Sequence, residues 1–224
     1  MTTFVYGEDG LTLLVLENYL PQLLNTLGLN APMVKAPAAF YRPSFGRAAG
    51  RSAANFGEFD FIIIYPDQTG GNNNFVFLGE SKWNNANNLM LRSNQLFRFL
   101  VFRAYLAAWQ SSQDPNIFWS ILPNHLSSLN LNLPVNNLIP PPNSKLRDNI
   151  IFVLQNIPPD FTVKNLLLFF RINGQNTASP GLGFSNITNS TGFSQFNTQV
   201  HSGSGQSLAF EIVQVEYQEE FNIL

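Results

Sequence analysis

The chain has 224 residues, 45% of them hydrophobic and 12% charged, with a formal net charge of −2 and no cysteine. That length and apolar content suffice for one large domain with a buried core, and the lack of cysteine excludes disulfides and thiolate metal sites. His125 and His201 are the only histidines, so a metal is expected on hard oxygen ligands, and the near-neutral charge argues against a general polyanion binder.

No stretch reaches the roughly 18 apolar residues of a membrane span, and "MTTFVYGEDG" lacks the pattern of a secretory signal. A soluble cytoplasmic protein with no membrane partner is expected. Charge is uneven along the chain. Residues 35–103 carry eight Lys and Arg against four Asp and Glu, whereas residues 172–224 carry four Glu and no Lys or Arg. Phosphate contacts are therefore expected from the middle third.

The first element, "GEDGLTLLVLENYLPQLLNTLG", predicts a helix with Glu8 and Asp9 at the positive end of its dipole and Gly28 as its stop. The Pro21 ring would clash with the Glu17 carbonyl, so the helix kinks there or splits in two. Residues 29–57 are rich in Pro, Ala, Gly and Arg and are predicted to be irregular. They contain Arg42, Arg47 and Arg51, which either grip phosphates or simply keep a loop soluble.

Two apolar runs in "EFDFIIIYPDQTGGNNNFVFLGESKW" flank the turn-rich stretch Pro66 to Asn74, which predicts a hairpin of strands covered on both faces. A long helix is predicted over Asn87 to Ser112. Its polar stripe, within about 80° of arc, holds Asn88, Arg92, Gln95, Arg103 and Gln110. Arg92 and Arg103 on that stripe are further candidates for phosphate contact, with ion pairing across the fold as the alternative.

Beyond Asp114, four runs are predicted as strands: "NIFWSIL", "NIIFVLQ", "VKNLLLFFRI" and "SLAFEIVQVEY". Residues 173–207 are predicted to form a long loop, and the sequons at Asn186 and Asn189 within it are taken as chance. Together these elements predict an α/β (α+β) fold, a central mixed sheet flanked by helices with a strand-rich C-terminal half. Residues 1–224 are expected to be a single domain.

Charges concentrate at the end of the hairpin. If it is symmetric about Gly70, Asp60 faces Glu80 and Glu58 faces Lys82, with all four on one face. Directly opposed Cβ atoms lie about 5 Å apart, so two carboxylates there repel each other unless a proton or a cation intervenes. Mg²⁺, with Mn²⁺ as a substitute, resolves the conflict because it accepts few carboxylates and leaves positions for water and phosphate oxygens. Lys82 could then steady an attacking water or the charge developing on phosphorus. A cross-strand salt bridge on a solvated sheet face is the competing reading, but these charges end apolar runs where such a face would alternate throughout. Glu58 either pairs with Lys82 or binds metal directly.

The order "EFDFIII", turn, "FVFLGESKW", helix resembles the core of the PD-(D/E)xK, or restriction-endonuclease-like, nucleases. The resemblance covers residues 8–112 and implies a core of a helix, a mixed sheet with a central hairpin, and a second helix. Residues 113–224 would then be an extension for dimer or base-reading contacts. It implies that Asp60, Glu80 and Lys82 are catalytic, with Asp60 and Glu80 on the metal and Glu17 as either a further helix acid there or an outward-pointing residue. Phe59 stands where the family often has proline. Gln95 matches a supporting glutamine of some exonuclease-like members, although Tyr105 lies ten residues on, farther than their tyrosine.

The resemblance implies a Mg²⁺-dependent endonuclease of restriction type, acting on double-stranded DNA as a homodimer. A repair nuclease or junction resolvase on the same core is the enzymatic alternative. A non-catalytic β-rich binding or assembly protein is the alternative of another class.

Overall fold

A computed structural model describes residues 7–29, 37–45, 58–66, 74–83, 93–131, 134–172, 187–201 and 207–217. The fold is mixed α/β. Helices α1 (Gly7–Asn18) and α2 (Leu20–Thr26) come first, then strands β1 (Ala38–Tyr41), β2 (Phe61–Tyr65) and β3 (Phe75–Trp83). Helices α3 (Ser93–Ser112), α4 (Pro115–Ser127) and α5 (Lys145–Leu154) follow, with a 3-10 turn at Val135–Leu138, before β4 (Thr162–Ile172), β5 (Ile187–His201) and β6 (Ser207–Tyr217).

The first predicted helix is split at Pro21. Lacking an N–H, Pro21 sits in the first turn of α2, where no donor is needed. Gly28 ends α2 at φ 77°, a conformation that suits glycine.

One six-stranded sheet runs in the order β1-β2-β3-β4-β6-β5. β3 and β4 are parallel and every other neighbouring pair is antiparallel. Strands β2 and β3 pair as Phe61↔Gly79 through Tyr65↔Phe75, the register expected for a hairpin centred on Gly70.

Alternation along these strands separates two cores. Ile62, Ile64, Val76 and Leu78 face α3, α4 and α5, packing on Phe102, Tyr105, Phe118 and Ile150. Phe61, Ile63, Phe77, Leu166 and Leu168 face α1 and α2, packing on Leu11, Val15, Leu23 and Leu24. All five residues of β2 are buried, as expected for a strand covered on both sides.

Two predicted strands are helices. "NIFWSIL" lies in α4, where the Asp114 carboxylate caps the N–H groups of Asn116 and Ile117 and Pro115 opens the first turn. Phe118, Leu122 and Leu126, four apart, form its buried stripe. "NIIFVLQ" lies mostly in α5, where the Ser144 hydroxyl accepts from the Arg147 N–H and Ile150, Val153 and Leu154 are buried.

The segment after residue 112 is therefore helical before it is strand-rich. β4 extends the sheet that begins in residues 8–112, so the sheet does not end at residue 112. β1 lies within the stretch predicted as irregular, and β5, paired with β6, lies within the predicted loop 173–207. No helix among the described residues is long and apolar enough to cross a membrane.

Candidate active site

Residues following the hairpin ladder inherit its two faces. Glu80 continues the row of Val76 and Leu78 towards α3, and Ser81 continues the row of Phe77 and Gly79 towards α1. Contacts from both helices agree. Arg98 of α3 forms an ion pair with Glu80, Nη1 to Oε1 at 2.6 Å, while Thr12 of α1 donates its hydroxyl to the Ser81 hydroxyl at 2.7 Å.

Asp60 sits in a bend just before β2, where its N–H donates to the Gly79 carbonyl at 3.2 Å. One oxygen of its carboxylate accepts the Ser81 backbone N–H at 2.6 Å. Its carboxyl is also hydrogen-bonded to that of Glu80, so the two acids meet as predicted.

A contact between two carboxyls requires a proton or a cation between them. Burial is the main force raising the Glu80 carboxyl, followed by the charge of Asp60, and together they push it up to about 8 although Arg98 and Lys82 pull it down. Burial also raises Asp60, opposed by the Ser81 N–H and by Lys82. Both acids are raised, and the upward shift belongs to the coupled pair rather than to one carboxyl. Half-buried Lys82 acts on both acids electrostatically.

Other predicted residues stand elsewhere. Glu58 does not face Lys82 across the ladder: it bridges to Ser44, and its carboxylate accepts from Arg42 Nη2 at 2.8 Å. The ladder ends at Phe61↔Gly79, and the bend at Asp60 turns the preceding residues towards the β1 side.

Arg42 is not a phosphate grip at rest, because its other nitrogen holds Asp9 at 2.7 Å and its fork is closed on two carboxylates. Glu17 is exposed on α1, which packs on the face of the sheet away from Glu80. The acid that α1 brings towards the site end is Asp9, through Arg42.

Arg103 is exposed, as is Gln110, so the expected polar stripe looks outward along this part of α3. Gln95 lies in α3 with its side chain outside the described residues, and Arg47, Arg51 and Arg92 lie outside them altogether. Tyr105 is buried and donates its hydroxyl to the Leu138 carbonyl, a structural role.

Sequence reasoning missed Arg98. It stands off the polar stripe, between Phe97 and Phe99, and reads as an isolated charge on an apolar helix. It also missed Asn165, which pairs with Leu78 across β3 and β4 and is buried with neither amide atom hydrogen-bonded.

Asp60 and Glu80 fit a hard dication: both offer oxygens, and of their surroundings only the Arg98 guanidinium on Glu80 and the nearby Lys82 offset their charge. Among the described residues no group of three or more His, Cys, Asp or Glu gathers to hold a metal. A cation at this pair would therefore keep water and substrate oxygens in its shell, a habit of Mg²⁺. No family model, no curated protein and no solved structure matches the chain.

Proposed function

We propose that the protein is a Mg²⁺-dependent DNA endonuclease with a restriction-endonuclease-like core. The observation that carries this reading is the meeting of Asp60 and Glu80 at the open end of a buried hairpin, with Lys82 further along the same face. The order of two helices, three antiparallel strands, three helices and a strand parallel to the third supports it, as does the α1–sheet–α3 layering.

Asp60 and Glu80 would hold Mg²⁺, which when bound supplies Lewis-acid activation and charge neutralisation at phosphorus. Ser81 orients Asp60 through its N–H, and Thr12 braces Ser81 from the opposite face. Lys82 holds the attacking water and offsets the charge that builds on the phosphoryl oxygens. In the reaction the water oxygen bonds to phosphorus as the ester P–O bond breaks. The attacking water gives up a proton, and one proton ends on the leaving oxygen, so that water is added across the P–O bond.

Restriction-type cutting by a homodimer is the form proposed. Plasmid DNA incubated with Mg²⁺ then yields discrete bands, and chelator abolishes them. A smear, or nicking confined to branched DNA, would point to a repair nuclease or resolvase. One observation favours a non-catalytic protein: the Arg98–Glu80 pair already satisfies Glu80. No cleavage of any DNA with Mg²⁺ or Mn²⁺ would establish that reading.

A further inference from the structure

Arg98 reaches the open end of the hairpin from the first half of α3. Its Nη1 donates both to Glu80 Oε1, at 2.6 Å, and to the main-chain carbonyl of Glu58. The guanidinium carbon stands 5.8 Å from the centre of the Phe59 ring. Glu80 is 1% exposed and the Arg98 side chain 13%, so solvent screens the pair weakly.

This geometry sets the guanidinium against a dication. Both are drawn to the same carboxylate, and a Glu80 oxygen committed to Arg98 at 2.6 Å is poorly placed to bind a metal. Fully ionised, Asp60 and Glu80 carry two negative charges and Lys82 and Arg98 two positive ones. A dication added to that balanced set leaves a surplus of two positive charges. Such a surplus attracts a phosphodiester and the further negative charge that its hydrolysis develops.

We propose that Arg98 is a built-in counter-ion that a divalent cation displaces from Glu80, and that its guanidinium then takes a phosphodiester oxygen of the DNA. The proposal rests on the nuclease reading above. The Glu58 carbonyl is the pivot, since it can keep its bond to Nη1 while the rest of the fork turns. A guanidinium suits the new partner because its planar donors match two oxygens of one phosphate. Arg98 thereby becomes a catalytic residue outside the acid-x-lysine motif.

The test is a calorimetric titration of Mn²⁺ into the whole protein and its Arg98→Met variant, run beside DNA cleavage and thermal melting. Arg98→Met is expected to bind Mn²⁺ about tenfold more tightly, since it loses a competitor for Glu80. It is expected to cleave about a hundredfold more slowly. Metal affinity and cleavage then move in opposite directions, which loss of a merely supporting residue would not produce.

Unchanged or weaker Mn²⁺ binding overturns the exchange and makes Arg98 a support for Glu80. Undiminished cleavage overturns the phosphate contact. If Arg98→Met does not fold, Arg98→Gln, which keeps a donor for the Glu58 carbonyl and drops the charge, answers the same two questions. If the native protein cuts no DNA, the nuclease reading fails, and the titration still decides whether Arg98 and metal compete.

Discussion

Ser81 holds Asp60 by its backbone N–H at 2.6 Å while its hydroxyl takes a hydrogen bond from Thr12 on the opposite side of the sheet. One residue of β3 thus ties a catalytic candidate on one face to a helix on the other. If Asp60 serves chemistry, its removal should damage cleavage far more than folding. Asp60→Ala leaves the Ser81 N–H without its acceptor and is expected to cost about 1–3 kcal/mol of stability. Asp60→Ala and Lys82→Ala are each expected to lower Mg²⁺-dependent cleavage by about a hundredfold or more. Cleavage assays beside urea denaturation check both, and full activity in either variant rejects the site.

The proton on Glu80 makes stability depend on pH in an unusual sense for a carboxyl. Its ordinary value is 4.5, and in the fold it is pushed up to about 8. Between those values the folded protein keeps a proton that the unfolded chain has lost. Stability is therefore highest below the ordinary value, falls as pH rises through the window, and levels off above about 8. Asp60, also raised, adds in the same direction. Urea denaturation of metal-free protein is expected to show this decline, worth a few kcal/mol, and Glu80→Gln to flatten it. A level or rising curve counts against the protonated pair.

Arg42 joins Asp9 to Glu58 from a left-handed backbone conformation, φ 48°. Both pairs are partly exposed, so each is worth only about 0.2–1 kcal/mol. Arg42→Ala loses the pairs and keeps the strained backbone. Arg42→Gly loses the same pairs but relieves the strain, and is expected to be more stable than Arg42→Ala by about 1 kcal/mol. Thermal melting of the two variants decides the ranking.

Gly79 precedes Glu80 and pairs with Phe61 across the hairpin, and a Cβ added there would land within the buried Phe61 ring. Phe61 has no exposed direction in which to retreat. Gly79→Ala is expected to destabilise the fold by about 1–3 kcal/mol and to disturb Glu80 next to it. Gly79→Ala combined with Phe61→Leu should recover part of the loss; equal melting of Gly79→Ala and native protein would show that the crossing is not tight.

Asn165 buries an amide with no hydrogen bond on the same face of the sheet as Leu78. Replacement by leucine, which has the same branching and number of side-chain heavy atoms, removes an unsatisfied polar group and is expected to stabilise by about 1–2 kcal/mol. A lower melting temperature for Asn165→Leu would show that the amide has a partner, water included, in solution.

The hairpin was legible because a turn symmetric about Gly70 and two apolar runs fix register together, and the observed pairs sum as expected. That register is what brought Asp60 and Glu80 into view. Helices α4 and α5 were misread because short apolar runs suit a strand or a buried helix equally. The Asp114-Pro115 start and the Ser144 cap were the better signals. Arg98 was hidden because one charge among phenylalanines has no pattern, and only the packing of α3 on β3 gives it a partner. Glu17 was misplaced because sequence alone does not tell which end of α1 lies near the hairpin's open end, and the Asp9–Arg42 bridge places the other end there.

The parallel pairing of β3 with β4 has a consequence for how the protein is made. Asp60, Glu80, Lys82 and Arg98 all precede Ser112, whereas the strand that covers the far edge of β3 begins at Thr162. During synthesis an apolar strand bearing Glu80 and Lys82 emerges well before its neighbour and offers open main-chain donors and acceptors to other chains. A polypeptide truncated after α3 would keep every charge of the site and lose the partner that keeps β3 from aggregating.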